Sequence, residues 1–298
     1  MSTEHVDPRY AELDGWSTAE MLAAMYEGQL AAAAAVQPAL EAIARAVEDA
    51  ASALKQTGRI VYAGAGTSGR IGVQDGTELS PTFNWPAERL LFLMAGGMGA
   101  LVKSAEAAED SQADGARSIA DANIGPGDVV IGLAASGTTP YTVGALRAAH
   151  ARGAVTIGIS SNPAAPLLGV VRHPILLRTG SEVVAGSTRM KAATAQKIVL
   201  NLFSTALMVK FGRVYQGLMV HMRATNAKLR RRAAGIVSRI TGCSPEDAAR
   251  YVEAANGDVK IAILLALGSS VTDSGPLLAR HDGNLRAAIV EVRAGING

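Results

Sequence analysis

The sequence has a single cysteine, Cys243, in 298 residues. That excludes a disulfide framework and argues against a cysteine-rich metal site. Charge of one sign is also lacking. The 28 basic and 26 acidic residues are interleaved and leave a net charge of +2, so nothing resembles the basic stripe of a nucleic-acid binder. The one local cluster, Lys228, Arg230, Arg231 and Arg232, reads as the solvated face of a helix rather than an anion site. The apolar stretch Leu30–Val36 is alanine-rich and too short to span a bilayer. No charged-then-apolar leader opens the chain. The expectation is a cytoplasmic protein with no membrane or nucleic-acid partner.

Catalytic signatures are missing as well. The histidines His5, His150, His173, His221 and His281 include no pair at metal-ligand spacing. There is no Gly-x-Ser-x-Gly elbow, no Cys–His grouping, and no Gly-Lys-Ser/Thr of a Walker loop. No metal and no cofactor are expected. What remains is acid–base chemistry by carboxylates.

What is present has the pattern of a globular α/β protein, with 49% hydrophobic and 18% charged residues. The length fits one large domain with a small appendage. Ser17-Thr18-Ala19-Glu20 forms a capping box that starts a helix near Thr18. A second alanine-rich helical stretch runs from about Ala31 to Leu54, broken at Pro38. Short apolar runs follow at Ile60–Ala63, Leu90–Ala95, Val129–Leu133, Val155–Ser160 and Ile175–Leu177. They lack in-out alternation, as strands buried on both faces do. Helical segments at Gly69–Thr77, Met98–Ala108 and Thr138–Ala151 lie between them, which implies a parallel sheet with helices on both sides. A long helix over Arg189–Lys210 is apolar on more than one face. From about Arg232 the chain is helical, with a weak repeat: Ala255–Ile263 parallels His281–Ile289. Two copies suggest a small bundle. The expected division is an N-terminal helical segment at 1–54, a core domain at 55–231 and a small all-α domain at 232–298.

Two loops attract attention. The first strand runs into Gly64-Ala65-Gly66-Thr67-Ser68-Gly69, and the third into Ala135-Ser136-Gly137-Thr138-Thr139-Pro140. Both lie at carboxyl ends of parallel strands, where open α/β sheets bind ligands. Glycines let backbone N–H groups approach an anion, hydroxyls donate further, and the following helix N-terminus favours negative charge. Gly64-x-Gly66-x-x-Gly69 formally matches a dinucleotide fingerprint. Two hydroxyl-rich loops suit a monophosphate better than a pyrophosphate. Glu78, beside a rigid turn expected at Pro81, could point back toward such a site, although its local sequence alone favours an exposed helix-end glutamate. Glu106, Glu109 and Asp110 form a second acidic stretch that spacing alone does not resolve.

Several motifs in fixed order are more specific. They are Gly64-Ala-Gly-Thr-Ser-Gly-Arg70, Glu78-x-x-Pro81-Thr-Phe83, Ala95-Gly-Gly97, Ala108-Glu-Asp110, Ala134-Ala-Ser-Gly137 and Thr139-Pro-Tyr141, then Gly186-Ser-Thr-Arg189, Thr194-Ala-Gln-Lys197 and Thr225-Asn-Ala-Lys-Leu229. From about Asp7 onward the chain resembles the N-acetylmuramic acid 6-phosphate etherases. The resemblance implies a sugar isomerase domain with a five-stranded parallel sheet, a C-terminal helical domain like ubiquitin-associated modules, and a homodimer. It implies catalytic glutamates at Glu78 and Glu109, and sugar-phosphate binding by Gly66, Thr67, Ser68, Ser136, Gly137, Thr138, Thr139 and Ser187. The implied reaction removes D-lactate from a phosphorylated amino sugar during cell-wall recycling. Gly76-Thr77 before Glu78, Leu79-Ser80 after it, Met98-Gly99, and Thr138 where arginine is common depart from the family pattern. These bear on fine substrate preference and leave both glutamates in place. An aldose–ketose isomerase on the same fold, or a non-enzymatic sensor resembling the glucokinase regulator, are the alternatives.

Overall fold

The structure is a computed structural model that describes residues 3–296 except Gln56, Ser104 and Thr225. The Thr225 of the Thr225–Leu229 motif and the side chain of Glu106 lie outside the described residues.

Helix α1 (Thr18–Ala34) begins at the predicted capping box. Ser17 accepts from the Glu20 backbone, and the Glu20 carboxylate accepts from the Ser17 N–H. Pro38 breaks the helical stretch as expected, within a 3-10 turn at Gln37–Ala39, and α2 (Leu40–Leu54) resumes. Then follow β1 (Ile60–Gly64), α3 (Gly66–Phe83), β2 (Leu90–Met94), α4 (Glu106–Glu109), α5 (Gln112–Asp121), β3 (Val129–Leu133), α6 (Pro140–Ala151), β4 (Val155–Ser160), β5 (His173–Leu176) and α7 (Lys191–Lys210). The five strands form one all-parallel sheet, as predicted, and their order is β2-β1-β3-β4-β5. Every residue of β1, β3 and β4 is buried, which explains their unalternating apolar sequences. One sheet face packs Val61, Ala63 and Val130 with Ile119 of α5 and Leu146 of α6.

Two expected helices differ. The segment expected as one helix over Met98–Ala108 is a 3-10 turn at Met98–Leu101 followed by the four-residue α4. Arg70 is the physical reason. Its Nε and Nη2 take the carbonyls of Leu101 and Ala100 at 3.1 and 3.0 Å, acceptors that a continuing helix would have used. Helix α3 is longer than expected at both ends. It carries Pro81 inside its last turn, so Pro81 does not form the turn anticipated beside Glu78.

By contacts the chain divides into two compact units, Met1–Thr77 with Pro86–Thr205, and Glu78–Trp85 with Ala206–Gly298. In the second, an unpredicted hairpin pairs β6 (Val214–Tyr215) with β7 (Leu218–Met219). It turns at Gln216–Gly217, both with positive φ. Arg213 stacks 4.9 Å over Trp85 and donates to the carbonyls of Phe83 and Asn84 at 2.7 and 2.8 Å. Helices α8 (Ala227–Thr241), α9 (Pro245–Ala254), α10 (Val259–Ala266), α11 (Val271–Arg280) and α12 (Leu285–Ile296) complete the unit. Val220, Val237, Val259, Ile263, Leu285 and Ile289 are among its buried core. The predicted repeat is real in backbone terms. Asn256-Gly257 have φ of 50 and 78°, and Asp282-Gly283 have 50 and 75°. Lys228 and Arg230–Arg232 are exposed on α8, as the solvated-face reading expected.

Two stretches, Thr18–Leu54 and Lys191–Lys210, are long and apolar enough to cross a membrane by length and composition, a feature that inspection of Leu30–Val36 alone missed. For α7, 56% of the stretch is buried within the protein.

Candidate active site

Strands β1 and β3 are neighbours, with Gly64 paired to Leu133 at their carboxyl ends. The two hydroxyl-rich loops therefore leave the same sheet edge side by side. The strand order reverses at this point, since β2 lies beyond β1 while β4 and β5 lie beyond β3. Such a switch point opens a crevice at the strands' carboxyl ends.

The first loop is short because α3 starts at Gly66. The N–H groups of its first turn, including those of Thr67 and Ser68, have no acceptor inside the helix by construction. Gly66 has φ of +51°, and a Cβ there would stand 3.2 Å from Glu109 Oε1. The carboxyl group of α4 thus rests against the first loop. Ser68 donates its hydroxyl hydrogen to Gln196 Oε1 of α7 at 3.0 Å.

The second loop is tied down by its own hydroxyls and by the chain after β4. Ser136 Oγ accepts from the Thr138 backbone N–H at 3.2 Å and from Thr138 Oγ1 at 3.0 Å. Asn162 Nδ2 donates to the Ser136 carbonyl at 2.9 Å, and Leu167 N–H to the Gly137 carbonyl at 3.1 Å. Gly137 has φ of +70°, and a Cβ there would fall 2.2 Å from the Ala165 Cβ, so only glycine fits. Thr139 precedes α6 without donating or accepting a side-chain cap, and Thr138 is exposed.

Ser187 lies in a separate tight turn, where its N–H donates to the Val184 carbonyl at 2.9 Å. That turn leads to α7, whose start is organised by Glu182. This carboxylate is 1% exposed and accepts from the backbone N–H groups of Lys191 and Ala192, both at 2.9 Å.

The expected pair of glutamates is divided between the two units. Glu109 belongs to the first, against Gly66. Glu78 is exposed on α3, twelve residues after Gly66, and falls in the second. Asp110 is exposed. A different buried carboxylate on α3 went unnoticed in the sequence. Asp75 accepts from Tyr62 Oη at 2.9 Å and from Ser204 Oγ at 3.2 Å. Burial pushes its carboxyl above the usual range, against the pull of those hydrogen bonds and of Lys197. Reading the sequence also missed Asn162, Gln196 and Glu182 as site supports. Gln196 alone had a signal, as part of Thr194-Ala-Gln-Lys197.

Two protein-family models match the chain. The model of the glucokinase regulatory protein N-terminal SIS domain matches residues 42–150, and that of the SIS domain matches residues 105–206. A phosphoheptose isomerase from Francisella tularensis aligns with TM-score 0.48 at 16% identity, over 65% of this chain and all of that one. An N-acetylmuramic acid 6-phosphate etherase from Deinococcus radiodurans is 48% identical, covering 98% of this chain and 96% of its own. One from Salmonella agona is 46% identical, over 96% and 97%. Identity at this level over nearly the whole length, on the predicted sheet with its two paired loops, places the chain in the N-acetylmuramic acid 6-phosphate etherase family.

Proposed function

We propose that this protein carries out the reaction its family is named for, cleaving the lactyl ether of N-acetylmuramic acid 6-phosphate. The observation that carries the reading is the pair of hydroxyl-rich loops on adjacent strand ends with the Glu109 carboxyl against the first of them. In this reading Gly66, Thr67, Ser68, Ser136, Gly137, Thr138 and Thr139 receive the phosphate, and Ser187 contributes from the turn before α7.

The chemistry follows from the substrate. Alkoxides leave badly, so an ether resists direct hydrolysis. Opening the sugar ring gives an aldehyde at carbon 1, which acidifies the proton on carbon 2. A base removes that proton, the electron pair forms the carbon 2–carbon 3 double bond, and the carbon 3–oxygen bond breaks. An acid protonates the departing oxygen, and D-lactate is released. Water then adds at carbon 3 and a proton returns to carbon 2, giving N-acetylglucosamine 6-phosphate. One carboxyl group must be ionised and one protonated. We assign the acid that protonates lactate to Glu78 and the base to Glu109. Holding the phosphate fixes carbon 2 before its base, an orientation effect that can be large.

The decisive experiment incubates the protein with N-acetylmuramic acid 6-phosphate and follows free D-lactate and N-acetylglucosamine 6-phosphate. Equimolar release of both is expected. A ketose phosphate formed without lactate would mean an aldose–ketose isomerase, and tight binding without turnover would mean a sensor.

We further propose that the protein works in the cytoplasm as a homodimer. Leu22, Tyr26 and Leu30 are 61, 65 and 54% exposed. Spaced four residues apart, they share one face of α1, an apolar stripe suited to a second copy. Light scattering should give twice the 30.6 kDa chain mass.

A further inference from the structure

The buried face of α7 is apolar around Gln196. Ala192, Ala195, Val199 and Leu200 are each 0% exposed, and so is Gln196 itself. A buried amide in such a setting costs free energy unless it is hydrogen-bonded. Gln196 Oε1 has a partner, the Ser68 hydroxyl at 3.0 Å. Gln196 Nε2 is buried and has none among the described residues. A methionine would fill the same volume without that cost, so packing does not explain the glutamine.

Its relation to Ser68 does. A serine hydroxyl has one hydrogen. If that hydrogen points inward to Gln196 Oε1, Ser68 offers an incoming anion only lone pairs, and the contact is repulsive. A half-turn of the terminal amide exchanges Oε1 and Nε2. Nε2 then donates to Ser68 Oγ, and the serine hydrogen is free to point out of the protein. The turned state also removes an orphaned N–H. A buried carbonyl left in its place is the less costly of the two. Because Glu182 anchors the first turn of α7, Gln196 is held on a fixed support behind the first loop.

We propose that Gln196 is a positioning residue for phosphate recognition: by donating to Ser68 Oγ it directs the only hydrogen of that hydroxyl to the bound anion. The assignment rests on the first loop being part of the phosphate cradle.

The test uses the full chain, with inorganic phosphate as the binding probe measured by calorimetry, and thermal unfolding recorded alongside. Gln196→Met should melt at or above the wild-type temperature yet bind phosphate about tenfold more weakly, because the Ser68 hydroxyl loses the donor that fixes its direction. Gln196→Glu keeps the shape but draws the serine hydrogen inward and adds negative charge behind the loop. It should weaken binding more than Gln196→Met. Ser68→Ala, which removes the hydroxyl itself, should weaken binding at least as much as Gln196→Met, and the double variant Ser68→Ala/Gln196→Met should be no worse than Ser68→Ala alone. With the sugar phosphate, KM should rise about tenfold for Gln196→Met with a much smaller fall in kcat.

Wild-type phosphate affinity in Gln196→Met would overturn the proposal, as would losses that add fully in the double variant or a weaker effect of Gln196→Glu than of Gln196→Met. Wild-type protein that binds phosphate but frees no lactate would remove the etherase reading alone, because the calorimetric comparisons do not depend on turnover.

Discussion

Gly66 leaves room for the Glu109 carboxyl. With φ of +51° and no side chain, Gly66 lets the carboxyl of α4 lie where a methyl group would crowd it. Gly66→Ala should therefore act twice. The backbone conformation costs about 1 kcal/mol for alanine, and the added carbon would stand 3.2 Å from Glu109 Oε1. Lactate release should fall by about tenfold or more while the protein remains folded, as circular dichroism and a rate assay would show. Glu109→Gln and Glu78→Gln should each lower kcat by roughly 10²–10⁴-fold, the usual range for removing a general acid or base, with sugar-phosphate affinity kept within a few-fold. Normal lactate release by either variant would end its assignment. The family resemblance pointed to Glu109, but its local sequence did not. It is one of three acidic residues in a short stretch, and its approach to Gly66 spans more than forty positions, which no local pattern encodes.

At the scale of elements the sequence was more informative, and the physics says why. Strands β1, β3 and β4 are buried on both faces, so continuous apolar runs announced them. The Ser17–Glu20 box and the Pro38 break are local chemistry, and both stand where expected. The segment after β2 was misread because its outcome is tertiary: Arg70 captures two of its carbonyls. The β6–β7 hairpin was overlooked because two-residue strands give no periodicity. Helix α7 was foreseen, but not the buried carboxylate that caps it. Glu182→Ala should destabilise the protein by about 2 kcal/mol, since two buried N–H groups lose their acceptor. Glu182→Gln, which keeps one acceptor oxygen, should cost less. Chemical denaturation would measure both.

At the scale of the whole molecule, the two units should respond differently to acid. In the first, burial alone would raise the Asp128 carboxyl. Hydrogen bonds from the Arg59 guanidinium and from the Gly125 and Arg59 backbone outweigh it and hold the group below its ordinary value. A depressed acid contributes stability above its unfolded pKa, near 4, and that contribution is lost as pH falls through the lower folded value. In the second unit, burial, reinforced by Lys260, Arg213 and Arg223, lowers His221 to about 3. The unfolded chain binds this proton from near pH 6.5, so stability there declines as pH drops from about 6.5 toward 3. On acidification the unit holding His221 should weaken first. His221→Asn should flatten that part of the melting-temperature profile, and Asp128→Asn should change only the profile near and above pH 4. Burial likewise lowers Lys260 to about 8, so the same unit should gain stability as pH rises from about 8 to 10.5.

The pairing of Gly64 with Leu133 has one more consequence. Neighbouring strands stand about 4.8 Å apart, so the two turns that spring from these residues form the jaws of a calliper set by the sheet itself. On the function proposed above, a single tetrahedral anion would be gripped between these jaws. Widening the gap would mean unzipping the centre of the sheet, so the gauge is built in before any ligand arrives.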